Sequence, residues 1–270
     1  MSSPRASFLL TTLAAAFFTP LGMPVVADTH SVTLSDTAKD SGSSPRQKVF
    51  RFNVSPNGYP PYLIVDGDQT SGIMWAVVEE ISGRLGYRVE AHKMPHKRVE
   101  QMLQSGLIDG TARAREWTEK PEDFVFTDPI VQTEEVVFFP VGSPHSFKVV
   151  EDLFSLTLVT HLGYTYPGLE QHFTSGKITR FDVPRDQDLF LYASQDDDLD
   201  AAISDRLVGQ WILVQQGMKD RFRIGSATLN EAGYRIMLRP GLETFADAFN
   251  TELASMRNSG RIEAIVSQYR

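Results

Sequence analysis

Cysteine is absent from all 270 residues, which excludes disulfides, a lipid-modified cysteine anchor and any site built on a thiolate nucleophile or ligand. A basic excess is missing too. With 26 Lys and Arg against 34 Asp and Glu, the formal net charge is -8, a balance that repels phosphate backbones and argues against nucleic acid as a partner. Long hydrophobic runs are lacking beyond residues 8–18, which are too few to span a membrane comfortably. No GxSxG, P-loop or GxGxxG signature occurs, and no internal repeat.

What is present begins at the N-terminus. Arg5 precedes the apolar run, "TPLGMP" breaks it, and Val25 and Ala27 stand three and one residues before a natural cleavage point after Ala27. Residues 1–27 therefore read as a signal peptide, and the protein is expected in the periplasm. Residues 28–48 are rich in Ser, Thr, Asp and Gly and poor in large apolar groups, so they read as a disordered linker.

From residue 49 the hydrophobic period alternates. In "VFRFNV", Phe50, Phe52 and Val54 share one face at period two, which reads as a strand; "GYPPY" must be a turn. Ile73, Met74, Val77, Val78, Ile81 and Leu85 recur at helical spacing, Gly86 stops that helix, and "YRVEA" follows as a strand. Strands are also expected at "LIDGTA", "EEVVFFPV", "LTLVTH", "DAAIS" and "YRIMLR". Helices are expected near Val99–Leu103, over residues 207–216 and along the stripe Phe245, Phe249, Leu253, Met256. Such alternation implies an α/β fold with mainly parallel sheets.

Six segments carry a resemblance: "GYPPYLIVDGDQTSGIMWAVVEEISGRLGY", "MLQSGLIDG", "FVFTDPI", "VEDLFSLTLVTHLGYTY", "LDAAISDRLV" and "FNTELASMRNSGRIEAIVSQY". In this order the chain resembles the type II periplasmic solute-binding proteins, specifically the family 3 group that includes the polar amino-acid binders. The resemblance implies a discontinuous lobe 1 (residues 49–132 and 233–270), an inserted lobe 2 (residues 133–232) and two crossing segments near residues 131–135 and 231–234. It also implies a ligand trapped between the lobes by hinge closure.

Residue by residue, the resemblance marks Tyr59 as an aromatic that stacks on the ligand and His96 as a wall position more often held by Trp or Phe. Thr118 matches a family threonine, but the arginine that grips an α-carboxylate three positions later is replaced by Pro121, which carries no charge and no N–H. Arg113 and Arg115 could substitute if the segment is extended, since residues two apart then share a face; they could equally be solvated or paired with Glu116, Glu119 or Glu122. Tyr164 and Thr165, with Gly163, match a loop that offers donors to an anionic group. Asp205 matches the carboxylate that receives an amino group, and would serve as well to cap the helix after it. Trp117 covers the site or is a core or rim residue.

His92 and His96 are four apart, but Pro95 between them and the lack of a third ligand argue against a metal; "QDDDLD" lacks the calcium-loop glycine. No cofactor is expected, and nothing demands catalysis. The expectation is a monomeric receptor for a small polar, amino-acid-like or anionic solute, serving an inner-membrane ABC permease. A stand-alone sensor and a cyclohexadienyl dehydratase-like enzyme remain the alternatives.

Overall fold

The computed structural model describes residues 47–270, apart from the His96 side chain. The signal peptide and nearly all of the linker read from the sequence lie outside the described residues. Strand β1 (Lys48–Val54) leads through a short hairpin, β2 (Ile64–Asp66) and β3 (Gln69–Ser71), into helix α1 (Ile73–Arg84) and strand β4 (Tyr87–Lys93). Next come α2 (Val99–Gln104), β5 (Gly110–Ala114), β6 (Val125–Phe126) and β7 (Val131–Pro140). The middle of the chain supplies β8 (Thr157–His161), α3 (Glu170–Thr174), β9 (Thr179–Val183), α4 (Asp188–Gln195), β10 (Ala201–Asp205) and α5 (Arg206–Gln215). Strand β11 (Phe222–Leu238) and helices α6 (Glu243–Asn258) and α7 (Arg261–Val266) complete it.

Nine strands form one sheet in the order β4-β1-β5-β11-β7-β10-β8-β9, with β6 added on β11. The outer strands of each half run parallel. Antiparallel pairing in this sheet is confined to contacts with β7 and β11, which hold each other from Phe222–Pro140 to Tyr234–Val131. These two strands make a ribbon from which a half-sheet spreads to either side. This is the two-lobe type II periplasmic binding fold, with helices packed on parallel strands in each lobe.

The β1 alternation holds: Phe50, Phe52 and Val54 are buried, and Phe50 stacks on Phe245 of α6 at 4.7 Å. Alpha helix α1 forms where the apolar spacing puts it, burying Ile73, Met74, Val77, Val78 and Ile81. The largest buried cluster draws on both halves, joining Phe52 and Val54 to Phe138 and Phe190, so the lobes share apolar packing through the ribbon. Among the described residues no helix is long and apolar enough to cross a membrane.

Candidate functional site

The segment after β1 is pinned before any side chain is considered. Tyr59 and Leu63 exchange two backbone hydrogen bonds, of 2.7 and 3.0 Å, around the Pro60–Pro61 pair. The first turn of α1 then bonds back, Ile73 N–H to the Pro61 carbonyl (3.0 Å) and Met74 N–H to that of Tyr62 (2.9 Å). Gly72 makes this approach possible: its φ is +106°, and a Cβ there would stand 2.6 Å from the Tyr62 carbonyl oxygen. The outcome is a rigid loop that presents two tyrosines side by side.

Four aromatic rings meet on the lobe 1 side. Tyr59 stacks on Tyr62 with centroids 5.6 Å apart, Tyr234 of β11 meets Tyr62 edge-on at 5.2 Å, and Trp117 lies 5.6 Å from Tyr234. Tyr62 is fully buried and Tyr234 is 4% exposed; the Tyr234 hydroxyl has no protein partner among the described residues and keeps contact with solvent. Burial pushes the phenols of Tyr59, Tyr62 and Tyr234 above the ordinary range, so each keeps its proton and can donate.

Lobe 2 answers with carboxylates. At the junction of β10 and α5, Asp205 caps the helix by accepting from Leu207 and Val208 N–H, and it also accepts the Glu134 N–H of β7 and the Tyr62 hydroxyl, all at 3.0 Å. The capping and binding alternatives are thus not exclusive. Burial raises Asp205 above the usual carboxylate range even though these four donors pull the other way.

Beside it on β7, Glu135 is half-buried with no hydrogen-bond partner for its carboxylate among the described residues; burial and then Asp205 push it up to about 7. Asp186, in the turn before α4, is raised by burial and drawn back by His161. The rims of the two lobes are electrostatically coupled: Asp205 and Asp186 both raise Tyr59, and Asp186 and Glu135 both raise Tyr164. Tyr164 is 40% exposed and stacks on His161 at 4.1 Å. Glu134 is separately neutralised by Arg206 at 2.6 Å.

Of the residues marked in the sequence, the fold brings Tyr59, Tyr164 and Asp205 together, with Trp117 on the lobe 1 edge. Arg113 and Arg115 part company. Strand β5 ends at Ala114 and a tight turn begins at Arg115, so the shared-face rule for extended chain does not apply. Arg113 donates to the Trp117 carbonyl and lies close enough to Tyr234 to act on its phenol, leaving its buried Nε unpartnered. Arg115 is exposed and lies over the Phe126 ring at 5.3 Å, outside the aromatic cluster. Thr118 is buried, donating to the Ala114 carbonyl at 3.2 Å and touching Met237, and Thr165 is exposed with no hydrogen bond among the described residues. His96 sits in the short turn before α2.

Sequence reasoning did not single out Tyr62, Glu135, Asp186 or Tyr234. Tyr62 and Tyr234 stand in quoted segments, and their alignment with Asp205 is a property of the fold. Two open depressions of about 650 and 480 Å³ lie elsewhere, one near His145 and Asp200 and one near Trp75 and Tyr269; no residue of the cluster lines either. No group of three His, Cys, Asp or Glu residues suited to a metal occurs among the described residues.

An aromatic cluster from one lobe meets carboxylates from the other beyond the ends of β1 and β10, where α/β folds of this kind place a ligand. The chain belongs to the bacterial extracellular solute-binding proteins, family 3, whose model matches residues 52–270. A comparison with the curated proteins finds no match. Solved structures share the fold at low identity. A mutant of ArgBP from T. maritima is 20% identical, with TM-score 0.63 over 82% of this chain and 94% of that one. A histidine kinase sensor domain with similarity to periplasmic binding proteins is 20% identical, with TM-score 0.66 over 83% and 96%. An ancestral cationic amino acid solute-binding protein is 17% identical, with TM-score 0.68 over 82% and 95%.

Proposed function

We propose that the protein is a periplasmic receptor that captures a small polar solute bearing an amino group and delivers it to an ABC-type importer. The observation that carries this reading is the Tyr62–Asp205 hydrogen bond of 3.0 Å, which brings both lobes to one carboxylate beside an aromatic wall. A carboxylate with a buried donor already on it can receive an ammonium, and the stacked tyrosines can cover the attached carbon chain. The family and the fold relatives that bind arginine or cationic amino acids support it.

The test is a thermal-shift screen of amino acids, amines, organic acids and aromatic acids. A ligand at about 100 times its dissociation constant adds roughly 2.7 kcal/mol. A screen in which no solute raises the melting temperature overturns the reading. Uptake of the ligand by cells lacking the gene then separates importer from sensor: lost uptake supports the former, unchanged uptake the latter. The sensor reading draws on the histidine kinase sensor domain among the fold relatives.

A second reading rests on Glu135. A cleft carboxyl titrating near neutrality is suited to proton transfer, and one fold relative is an amino acid-binding precursor of cyclohexadienyl dehydratase. Turnover of prephenate or arogenate, abolished by Glu135→Gln, would make the protein an enzyme. Without it, the protein only binds.

A further inference from the structure

We propose that the cleft selects an organic ammonium ion without requiring an α-carboxylate, and that Glu135 and Asp186 of lobe 2 receive the cation between the Tyr59 and Tyr164 rings. This rests on the cleft being the solute site, and adds the charge class of the solute together with two residues that hold it.

Four observations converge. First, charge is unbalanced: Glu135 sits opposite Asp205 in the β7–β10 pairing, Asp205 and Asp186 act on Tyr59 and Asp186 and Glu135 on Tyr164, and none of the three carboxylates has a Lys or Arg within ion-pair distance among the described residues. Asp205 is hydrogen-bonded by four donors. Glu135 and Asp186 have no such donors, and a half-buried carboxylate left this way needs either a proton or a cation. Second, the walls are suited to a cation. Tyr59, Tyr62, Tyr234 and Trp117 pack at 5.2 to 6.3 Å, and Tyr164, in the loop after β8, lies within electrostatic reach of Tyr59. Aromatic faces attract ammonium groups by their quadrupole.

Third, the Tyr234 hydroxyl is a free polar group within the aromatic cluster. The side chain is 96% removed from solvent on its 4% exposure, its oxygen has no protein partner among the described residues, and it lies within electrostatic reach of Asp205 and Tyr164. Unlike the sealed-off Arg113 Nε, that oxygen keeps contact with solvent and is free to bond a solute that enters. Fourth, the place where a carboxylate would be gripped is poorly equipped. Pro121 opens a tight turn in lobe 1, Arg115 lies over Phe126, and one Nη of Arg113 is engaged by the Trp117 carbonyl. Arg113 is one cation against three carboxylates.

The experiment uses matched pairs that differ only in the carboxylate: cadaverine against lysine and agmatine against arginine, with succinate and glutamate as anionic probes, all by calorimetry on the wild-type chain. The amine of each pair is expected to bind about tenfold or more tightly than its amino acid, and Glu135→Gln with Asp186→Asn to weaken the amine by about tenfold or more. Tighter binding of lysine, arginine or either anion overturns the inference. If a solute of another class binds and Tyr59→Ala abolishes that binding, the solute-receptor reading stands and the cation inference fails. If no solute binds at all, both fail. The matched pairs need no variant, so a double variant that does not fold leaves the test intact.

Discussion

Asp205 shows how one side chain can serve the fold and the cleft together. Its carboxylate ends β10, caps α5 and accepts the Tyr62 phenol from the other lobe. Removing only the phenol hydroxyl, by Tyr62→Phe, leaves three backbone donors on Asp205 and should cost about 0.5–1.5 kcal/mol in a urea titration of the ligand-free protein. A larger loss would mean that the ring itself is displaced. Glu135 makes a different prediction, set by its pKa. Its carboxyl sits near 7 in the fold against an ordinary value of 4.5, so between those values the folded state holds the extra proton. Its contribution is therefore full below about pH 4.5 and is lost as pH rises through about 7, a penalty of about 1–3 kcal/mol at pH 8. Glu135→Gln should raise ligand-free stability at pH 8 and leave pH 5 little changed. Affinity for an amine should move oppositely, rising as pH climbs from 5.5 to 8 and Glu135 ionises. Asp205 lies opposite it on β10 and Glu134, paired with Arg206, precedes it on β7, so the difference between wild type and Glu135→Gln is the readout. Tyr59 and Asp205 could be marked from the sequence because they sit in ordered motifs. Glu135 and Asp186 were not: each is a single acid with no local pattern, and only the folded sheet gives them shared surroundings.

Elements are held in place by a few fixed points. Asp109, at the entrance to β5, accepts Arg51 through its backbone N–H, Nε and Nη2 and Arg239 through Nε, each at 2.9 Å. Burial acts to raise this carboxyl, but the Arg51 and Arg239 bonds together hold it below its ordinary value. It thus ties β1 to the end of β11 across β5, and the stability it confers is lost only as pH falls through its lowered pKa. Asp109→Ala would strand two guanidinium groups and should cost about 3 kcal/mol, read from chemical denaturation. Gly72→Ala should be comparably harmful, since both its φ and its contact with the Tyr62 carbonyl exclude a Cβ; loss of about 2 kcal/mol with weakened ligand binding is expected. Helices with long apolar stripes, α1 and α6, were legible from spacing alone. The first half of β11 was not, because "FRIGSATLNEAG" lacks clean alternation and its register with β7 shifts on either side of Thr228. Helix α4 and strand β9 also went unmarked. The turn of helix over Leu189, Phe190 and Ala193 is short, and β9 buries only Val183 among its five residues.

At the scale of the whole molecule, the lobes touch directly through Tyr62 and Asp205. A solute between them must compete with or join that contact, and only a difference in its affinity for open and closed forms can shift their balance. Spectroscopic labels on cysteines placed at Glu79 in α1 and at Lys177 before β9, both exposed positions of a cysteine-free chain, should report a shorter and narrower distance distribution at saturating ligand. An unchanged distribution would contradict hinge closure.

The placement of β11 also governs how the chain can be made. In the finished sheet it lies between β5 and β7, although both precede it by more than eighty residues. Until residues 222–238 arrive, β5 and β7 each present an open edge where their partner belongs, and neither half-sheet has its inner boundary. Contacts this distant in sequence close slowly, because the loop entropy must be overcome before pairing rewards it. A nascent chain of this design therefore stays short of its native state until nearly all of it exists.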